Sequence, residues 1–232
     1  SSELVENYHL SVNTPASEEL KLVLKNLTIT PAEAIAPIQI NGESQVTTYL
    51  EGKNKISINK SEKSSSPAGI SVAKDAKLTI DSEPEQPGSI EVLNETTAIR
   101  NGAAIGGNGE QDAGIIHIKG GTVSATSASK GAAIGASVGK SVKEIRISGG
   151  VVTAKSSDGA GIGTGSASGN NRTGKIVIEG GTVNASSGKG AGIGSGVGYA
   201  PGNQAITAEI EIHGGMITAY SDLGACIGSG YD

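Results

Sequence analysis

The second half of this 232-residue chain repeats one ten-residue block four times. The block has the form Ile-x-Ile-x-Gly-Gly-x-(Val/Ile)-x-Ala, and a glycine clamp of the form Gly-Ala-x-Ile-Gly follows each copy. A recurring unit of this kind is the sequence signature of a solenoid, in which each repeat packs on the next. The blocks are residues 116–125, 145–154, 176–185 and 210–219, and the clamps are residues 131–135, 159–163, 190–194 and 224–228, with a further clamp at 102–106.

Apolar and polar residues alternate within each block, as at Ile116, Ile118, Val123 and Ala125. A period of two is typical of a strand with one buried face. The Gly-Gly pair predicts a corner, because glycine tolerates positive φ and close backbone approach. The clamp supplies a third short strand. Three strands and three corners per repeat predict an all-β fold, a single-stranded parallel β-helix (β-solenoid) of about seven triangular rungs.

The first half of the chain follows the same plan with a less regular pattern. We interpret residues 1–20 as an N-terminal cap and residues 21–232 as the β-helix domain. Within that domain, degenerate rungs cover residues 21–106 and regular repeats cover residues 107–232. A cap is expected because an open parallel edge invites aggregation. The alternative, a disordered Gly/Ser/Ala-rich chain, would not keep apolar residues at fixed registers.

Composition restricts both the core and the partners of this chain. With 36 glycines and no Phe or Trp, the core has to be filled by small aliphatic side chains. The net charge is −5 and the charges are interspersed, whereas nucleic acids and anionic membranes both need a basic patch. No apolar run approaches the ~18 residues of a membrane span. We therefore expect a monomer with no nucleic-acid partner and no membrane insertion, in which Cys226 fills a small position of its clamp.

The sequence does not predict catalytic or metal-binding residues. Polysaccharide hydrolysis needs paired carboxylates, and calcium-dependent lyases need a carboxylate cluster. Asp158 and Asp222 lie two rungs apart with Lys189 between them, which we interpret as a charge ladder. The acidic loop at residues 81–85 lacks the Asp/Asn-Gly geometry of a calcium loop and is interpreted as a surface turn. We expect no catalytic residue, no metal site and no cofactor.

Two groups of outward-facing residues are candidates for ligand contact. Lys119 and Arg146, on adjacent rungs near Glu179, are interpreted either as a salt-bridge network on a solvated face or as a strip of sugar contacts. Aromatic rings are the usual platforms for sugars, and three of the five tyrosines lie in the last two rungs. The alternative is that these three tyrosines lie in surface turns and bind no ligand. These residues are Tyr199, Tyr220 and Tyr231.

The strings GAAIGGNGE, IHIKGGTVSAT and IVIEGGTVNAS are similar to motifs of a known protein group. The chain resembles, over about residues 20–232, bacterial cell-surface right-handed parallel β-helix proteins of the carbohydrate-binding-domain-containing type, common in gut Firmicutes and clostridia. The resemblance implies an exported region of a larger wall-associated protein. Its motifs cover corners and core, so it assigns no ligand residue.

Pattern and resemblance together predict a non-enzymatic extracellular module of a larger bacterial surface protein, located at the cell surface or cell wall. Its partner is expected to be a polysaccharide or a host or cell-wall glycan, bound directly or in adhesion. One alternative is a polysaccharide lyase or hydrolase of the β-helix class. The other is a structural stalk or spacer.

Overall fold

The computed structural model describes residues 4–6, 9–61, 66–97, 101–109, 111–166, 171–198, 205–207 and 209–231. Regular structure in these residues consists of strands β1 to β24, which form three parallel sheets. The chain winds through sheet 3, sheet 1 and sheet 2 in turn, with one strand per sheet in each complete rung except the last, where sheet 3 contributes two short strands. The predicted all-β solenoid with parallel strands is confirmed.

Sheets 1 and 2 each contain eight stacked strands. Sheet 1 consists of β1 (Leu4–Glu6), β4 (Thr28–Thr30), β7 (Lys53–Ile58), β10 (Ser89–Asn94), β13 (Thr122–Ser127), β16 (Val151–Ser156), β19 (Thr182–Ser187) and β23 (Met216–Ser221). Sheet 2 consists of β2 (Leu10–Val12), β5 (Ile38–Ile40), β8 (Ile70–Val72), β11 (Ile105–Gly106), β14 (Ile134–Gly135), β17 (Ile162–Gly163), β20 (Ile193–Gly194) and β24 (Ile227–Gly228).

Sheet 3 completes the triangle. It consists of β3 (Glu19–Lys25), β6 (Gln45–Glu51), β9 (Lys77–Asp81), β12 (Ala113–Ile118), β15 (Val142–Ile147) and β18 (Asn171–Ile178), with β21 (Ala205–Thr207) and β22 (Ile210–Ile212) both paired to β18. The described strands of sheet 3 therefore occupy seven levels, which matches the rungs predicted from the sequence.

The N-terminal segment continues the solenoid. Strands β1 and β2 pair in parallel with β4 and β5, so residues 4–6 and 10–12 contribute a partial rung to sheets 1 and 2. Strand β3 begins at Glu19, so the boundary placed at residue 20 falls inside a strand. The first end of the stack is thus built from the same parallel pairing as the rest.

The core consists of aliphatic columns in register. Each block isoleucine stacks on its equivalent in the next rung, and the clamp isoleucines do the same. This confirms the stacking predicted from the repeat spacing. The fully buried members include Ile116, Ile145, Ile176, Ile134, Ile162 and Ile193.

The clamp glycines allow the rungs to stack closely. Gly163 has a φ of 139°, and a Cβ at this position would lie 1.8 Å from the carbonyl oxygen of Gly194. Both the backbone conformation and the contact exclude a side chain. The clamp therefore recurs from rung to rung within this chain for a steric reason.

A column of polar residues lies at the C-terminal ends of the stacked strands of sheet 1, and the sequence patterns do not predict it. Ser187 Oγ donates to the Gly159 carbonyl at 2.7 Å, and Asn94 Nδ2 donates to the Pro67 carbonyl at 2.9 Å. These bonds satisfy carbonyl groups at the corner, as buried polar atoms require. The column consists of the buried residues Asn94, Ser127, Ser156 and Ser187 and the half-buried Ser221.

Candidate functional site

The outward face of sheet 3 carries the predicted strip of charged residues. Arg146 Nε donates to Glu144 Oε1 at 2.9 Å, and Arg146 Nη1 donates to Glu179 Oε1 at 2.6 Å. The hydrogen bond to Glu144 is the main reason that the pKa of Arg146 is raised. Lys119 Nζ instead lies 3.4 Å from Asp81 Oδ2. The structure therefore joins Arg146 to Glu179 but pairs Lys119 with another carboxylate.

The same face continues as a charge network towards the last rung. Lys175 Nζ lies 2.7 Å from Glu211 Oε1 and 3.6 Å from Glu209 Oε2. His213 Nε2 lies 3.1 Å from Glu211 Oε2. The hydrogen bond to Lys175, followed by the one to His213, lowers the pKa of Glu211 to about 2. A ligand on this face would have to compete with these pairs.

His117 lies within the positive part of this network. Its Nε2 is 2.9 Å from Ser148 Oγ. Burial lowers the pKa of His117, and the charges of Lys77 and Arg146 lower it further. Arg146 and Glu179 form the salt bridge that one interpretation of the strip predicts, whereas Lys119 does not join them. The role of these three residues as ligand contacts stays a prediction.

The three predicted tyrosines are not brought together into one described patch. Tyr199 lies outside the described residues. Tyr220 is 55% exposed at the end of β23 in sheet 1, and Tyr231 is 53% exposed, following β24 of sheet 2. The Tyr231 amide donates to the Lys189 carbonyl at 3.0 Å. Tyr220 lines a cavity.

This cavity, the tyrosine corner, lies where sheet 1 turns towards sheet 2 in the last three rungs. Its volume is about 760 Å³. Tyr220 is in register with Ser186 and Lys155 on the two preceding rungs, so the three side chains form one outward column. The rest of the lining includes Ser157, Asp158, Lys189, Asp222 and Leu223.

Charges in the tyrosine corner balance. Tyr220 Oη donates to Asp222 Oδ1 at 2.7 Å, and this hydrogen bond, together with the Asp222 charge, raises the pKa of Tyr220. Lys189 Nζ lies 3.2 Å from Asp158 Oδ1, so this part of the predicted charge ladder is observed. Lys155 forms no ion pair with a described residue. Two lysines and two aspartates leave no net charge.

The corner combines an accessible ring with fixed polar groups. The ring offers an apolar face, and its orientation is held by the bond to Asp222. Hydroxyl, ammonium and carboxylate groups around it can accept and donate hydrogen bonds. Sequence reasoning found Tyr220 but missed Lys155 and Ser186, which register with Tyr220 would have revealed.

Comparison with known families identifies the repeats. A family model described as a beta helix repeat matches residues 116–138, 145–166, 176–197 and 210–231. Each matched segment begins at the first isoleucine of a block and extends beyond its clamp. The chain is a right-handed parallel β-helix protein. Comparisons of this β-helix protein with curated proteins and with solved structures found no match.

Other features of the β-helix protein bear on its chemistry. Within the described residues, no group of three or more His, Cys, Asp or Glu side chains could hold a metal ion. No described helix has the length and apolar character to cross a membrane. Cys226 is exposed on the last rung, rather than enclosed in its clamp.

Proposed function

We propose that this β-helix protein is a non-enzymatic extracellular module that binds glycan at the tyrosine corner. The observation that carries the proposal is the position of Tyr220, an exposed ring in an open cavity, oriented by Asp222. A ring with one apolar face and a polar rim suits a sugar, whose C–H groups pack on the ring while its hydroxyls form hydrogen bonds.

Preorganisation supports this choice of site. The hydrogen bond between Tyr220 and Asp222 restricts the ring before any ligand arrives, and this reduces the entropy lost on binding. Ser186 and Lys155 extend the polar rim across two further rungs, which gives it the elongated shape that a linear oligosaccharide needs. A surface location on a larger bacterial protein is proposed from the family resemblance.

The pairing of the corner carboxylates favours binding over catalysis. Asp158 is held by Lys189, and Asp222 by the Tyr220 hydroxyl. Glycoside hydrolysis uses two carboxyl groups placed on either side of the scissile bond, whereas these two carboxylates already contact an ammonium and a hydroxyl group of the corner. The corner is therefore proposed to hold a glycan without cleaving it.

The decisive experiment is a glycan array with wild type and Tyr220→Ala, followed by titration of the glycans that bind. Loss of the central aromatic contact is expected to weaken binding roughly 30-fold, or about 2 kcal/mol. Tyr220→Phe keeps the ring and is expected to lose much less. Met216→Ala is the matched control, because Met216 is an exposed apolar residue of the same strand outside the cavity.

Other results would redirect the proposal. Equal binding by wild type and Tyr220→Ala would move the site elsewhere. An array without any bound glycan would favour the stalk or spacer. Release of reducing or unsaturated sugar ends from a bound polysaccharide would overturn the non-enzymatic assignment.

A further inference from the structure

A second cavity opens on the outward face of sheet 1, near the N-terminal end of the stack. Its volume is about 660 Å³, and we call it the lysine groove. It shares no lining residue with the tyrosine corner. Its polar lining includes Asn26, Thr28, Lys53, Lys55, Glu91 and Ser124.

The register of four strands arranges the groove as a linear track. Thr28, Lys55, Glu91 and Ser124 occupy equivalent positions on successive rungs of β4, β7, β10 and β13. Rungs of a parallel sheet are about 4.8 Å apart, so one polar side chain is presented at each such step. An extended, repetitive ligand fits this spacing better than a compact one.

The described lining of the groove carries one more positive than negative charge. Lys55 Nζ lies 2.9 Å from Glu91 Oε2, and both side chains are about half exposed. Lys53 forms no ion pair with a described residue. Two ammonium groups and one carboxylate therefore leave a net charge of +1, on a chain whose net charge is −5. This local excess selects for an anion.

A strained corner places an amide beside Lys53. Asn26 has a φ of 51° and is the one non-glycine residue with positive φ among those described. Its Oδ1 accepts the Lys53 backbone N–H at 3.1 Å. A Cβ on Gly52 would lie 2.1 Å from this oxygen, so the glycine makes room for the carboxamide. Asn26 lines the groove, and its Nδ2 bonds to no described residue, so this amide retains its donor capacity.

The remaining groups are hydroxyls, and they determine the ligand class. The hydroxyls of Thr28, Thr122 and Ser124 form no hydrogen bond with a described residue. The described lining contains no aromatic ring, so affinity has to come from charge and hydrogen bonds. A single net charge is too little for a nucleic acid, whose binding depends on many phosphate contacts.

We propose that the lysine groove binds an acidic saccharide, that is, a hydroxyl-bearing ring carrying a carboxylate or a sulfate. Lys53 Nζ and Asn26 Nδ2 receive the anionic group, and the hydroxyl column on the following rungs receives the ring hydroxyls. The site is independent of the tyrosine corner, since neither depends on a residue of the other.

The test uses one oligosaccharide backbone in three charge states. Unsulfated chondroitin carries carboxylates, chondroitin sulfate adds sulfates, and carboxyl-reduced unsulfated chondroitin is neutral. Calorimetric titration of wild type is expected to detect at least one acidic form and not the neutral one. Lys53→Gln is expected to weaken acidic binding roughly tenfold or more, and Lys53→Arg to retain it, as loss of one charge-assisted contact implies. Added salt should weaken binding in the same direction.

Matched variants distinguish binding in this groove from a general effect of protein charge and from binding at the tyrosine corner. Lys21→Gln removes the same charge from an exposed position on sheet 3 and should leave binding unchanged. Tyr220→Ala should also bind the acidic oligosaccharides normally. Equal affinity of wild type and Lys53→Gln, equal binding of neutral and acidic forms, or no binding of either acidic form would overturn the inference. Loss with Tyr220→Ala alone would overturn it while supporting the tyrosine corner.

Discussion

The last rung and the interior rungs have the same repeat sequence but differ in burial. The clamp isoleucine Ile193 is fully buried, whereas its partner in the last rung, Ile227, is 45% exposed. Ile178 of sheet 3 is likewise buried, and Ile212, stacked on it, is 45% exposed. The residue types are identical, so the difference arises because Ile193 and Ile178 lie between two described rungs, whereas Ile227 and Ile212 have one described neighbouring rung.

This difference shows where the stability of the solenoid resides. A rung of this sequence cannot bury its own isoleucines, because each core column is closed by the rung above it. The free energy that stabilises the folded solenoid therefore comes from the interfaces between rungs. A substitution should have its full effect in the interior and a reduced one at the last rung.

Gly163 and Gly228 provide the strongest way to test this comparison. Gly163→Ala adds a Cβ that would lie 1.8 Å from the Gly194 oxygen, in addition to an unfavourable φ of 139°. We expect this variant to lose the folded state. Gly228 has nearly the same φ, 131°, but a Cβ there meets nothing nearer than 3.6 Å. Gly228→Ala should cost only the backbone strain, about 1–3 kcal/mol.

Circular dichroism and urea denaturation of the two variants measure this difference. The strain is nearly equal in both, so the comparison isolates the steric contact between rungs. Equal stability of Gly163→Ala and Gly228→Ala would contradict the view that the clamp glycines are required by the stacked neighbour.

The fold could be predicted because its constraints recur at fixed positions. Gly163, Ile162 and Ile145 have equivalents in every regular rung, so one physical requirement is repeated several times in the sequence. Side-chain partners on the outer face carry no such repetition. Lys119 was expected near Glu179, but the register places it directly beside Asp81, with Ser148 between it and Glu179.

The candidate sites could be predicted only in part. Tyr220 is noticeable because aromatic residues are rare in this chain, and it does line a cavity. The lysine groove has no comparable signal. It depends on the positive φ of Asn26 and on the register of Lys55 with Glu91, which short polar strands do not reveal before the structure is known.

Substitution of Ile193 and Ile227 tests the same difference between an interior rung and the last rung, with an expected effect of intermediate size. Ile193→Ala removes a fully buried side chain and should cost about 2–5 kcal/mol. Ile227→Ala should cost about half of this or less, because nearly half of the side chain already faces water. Linear extrapolation of urea denaturation gives the two values. Equal losses would mean that the last rung is as well covered as the interior.

The smallest expected effect concerns the ion pair between Glu211 and Lys175, which links the last rung of sheet 3 to the preceding one. The pKa of Glu211 is lowered from 4.5 to about 2, mainly by the hydrogen bond to Lys175 on the preceding rung. Folding thus favours the ionised carboxylate. The resulting stabilisation is present above about pH 4.5 and is lost as the pH falls towards 2. Glu211→Gln should lack this component at every pH.

Amide hydrogen exchange in β22, measured for wild type and Glu211→Gln across this pH range, resolves the effect. Comparing the two proteins at each pH cancels the intrinsic pH dependence of exchange. We expect slower exchange in wild type above pH 4.5, convergence towards pH 2, and a smaller difference at high salt because the pair is partly exposed. The interior strand β15, two rungs away, should exchange equally in both proteins. A full difference that persisted at pH 2 would show that the effect does not depend on the ionisation of Glu211. A difference that extended equally into β15 would show that the effect is not confined to the last rung.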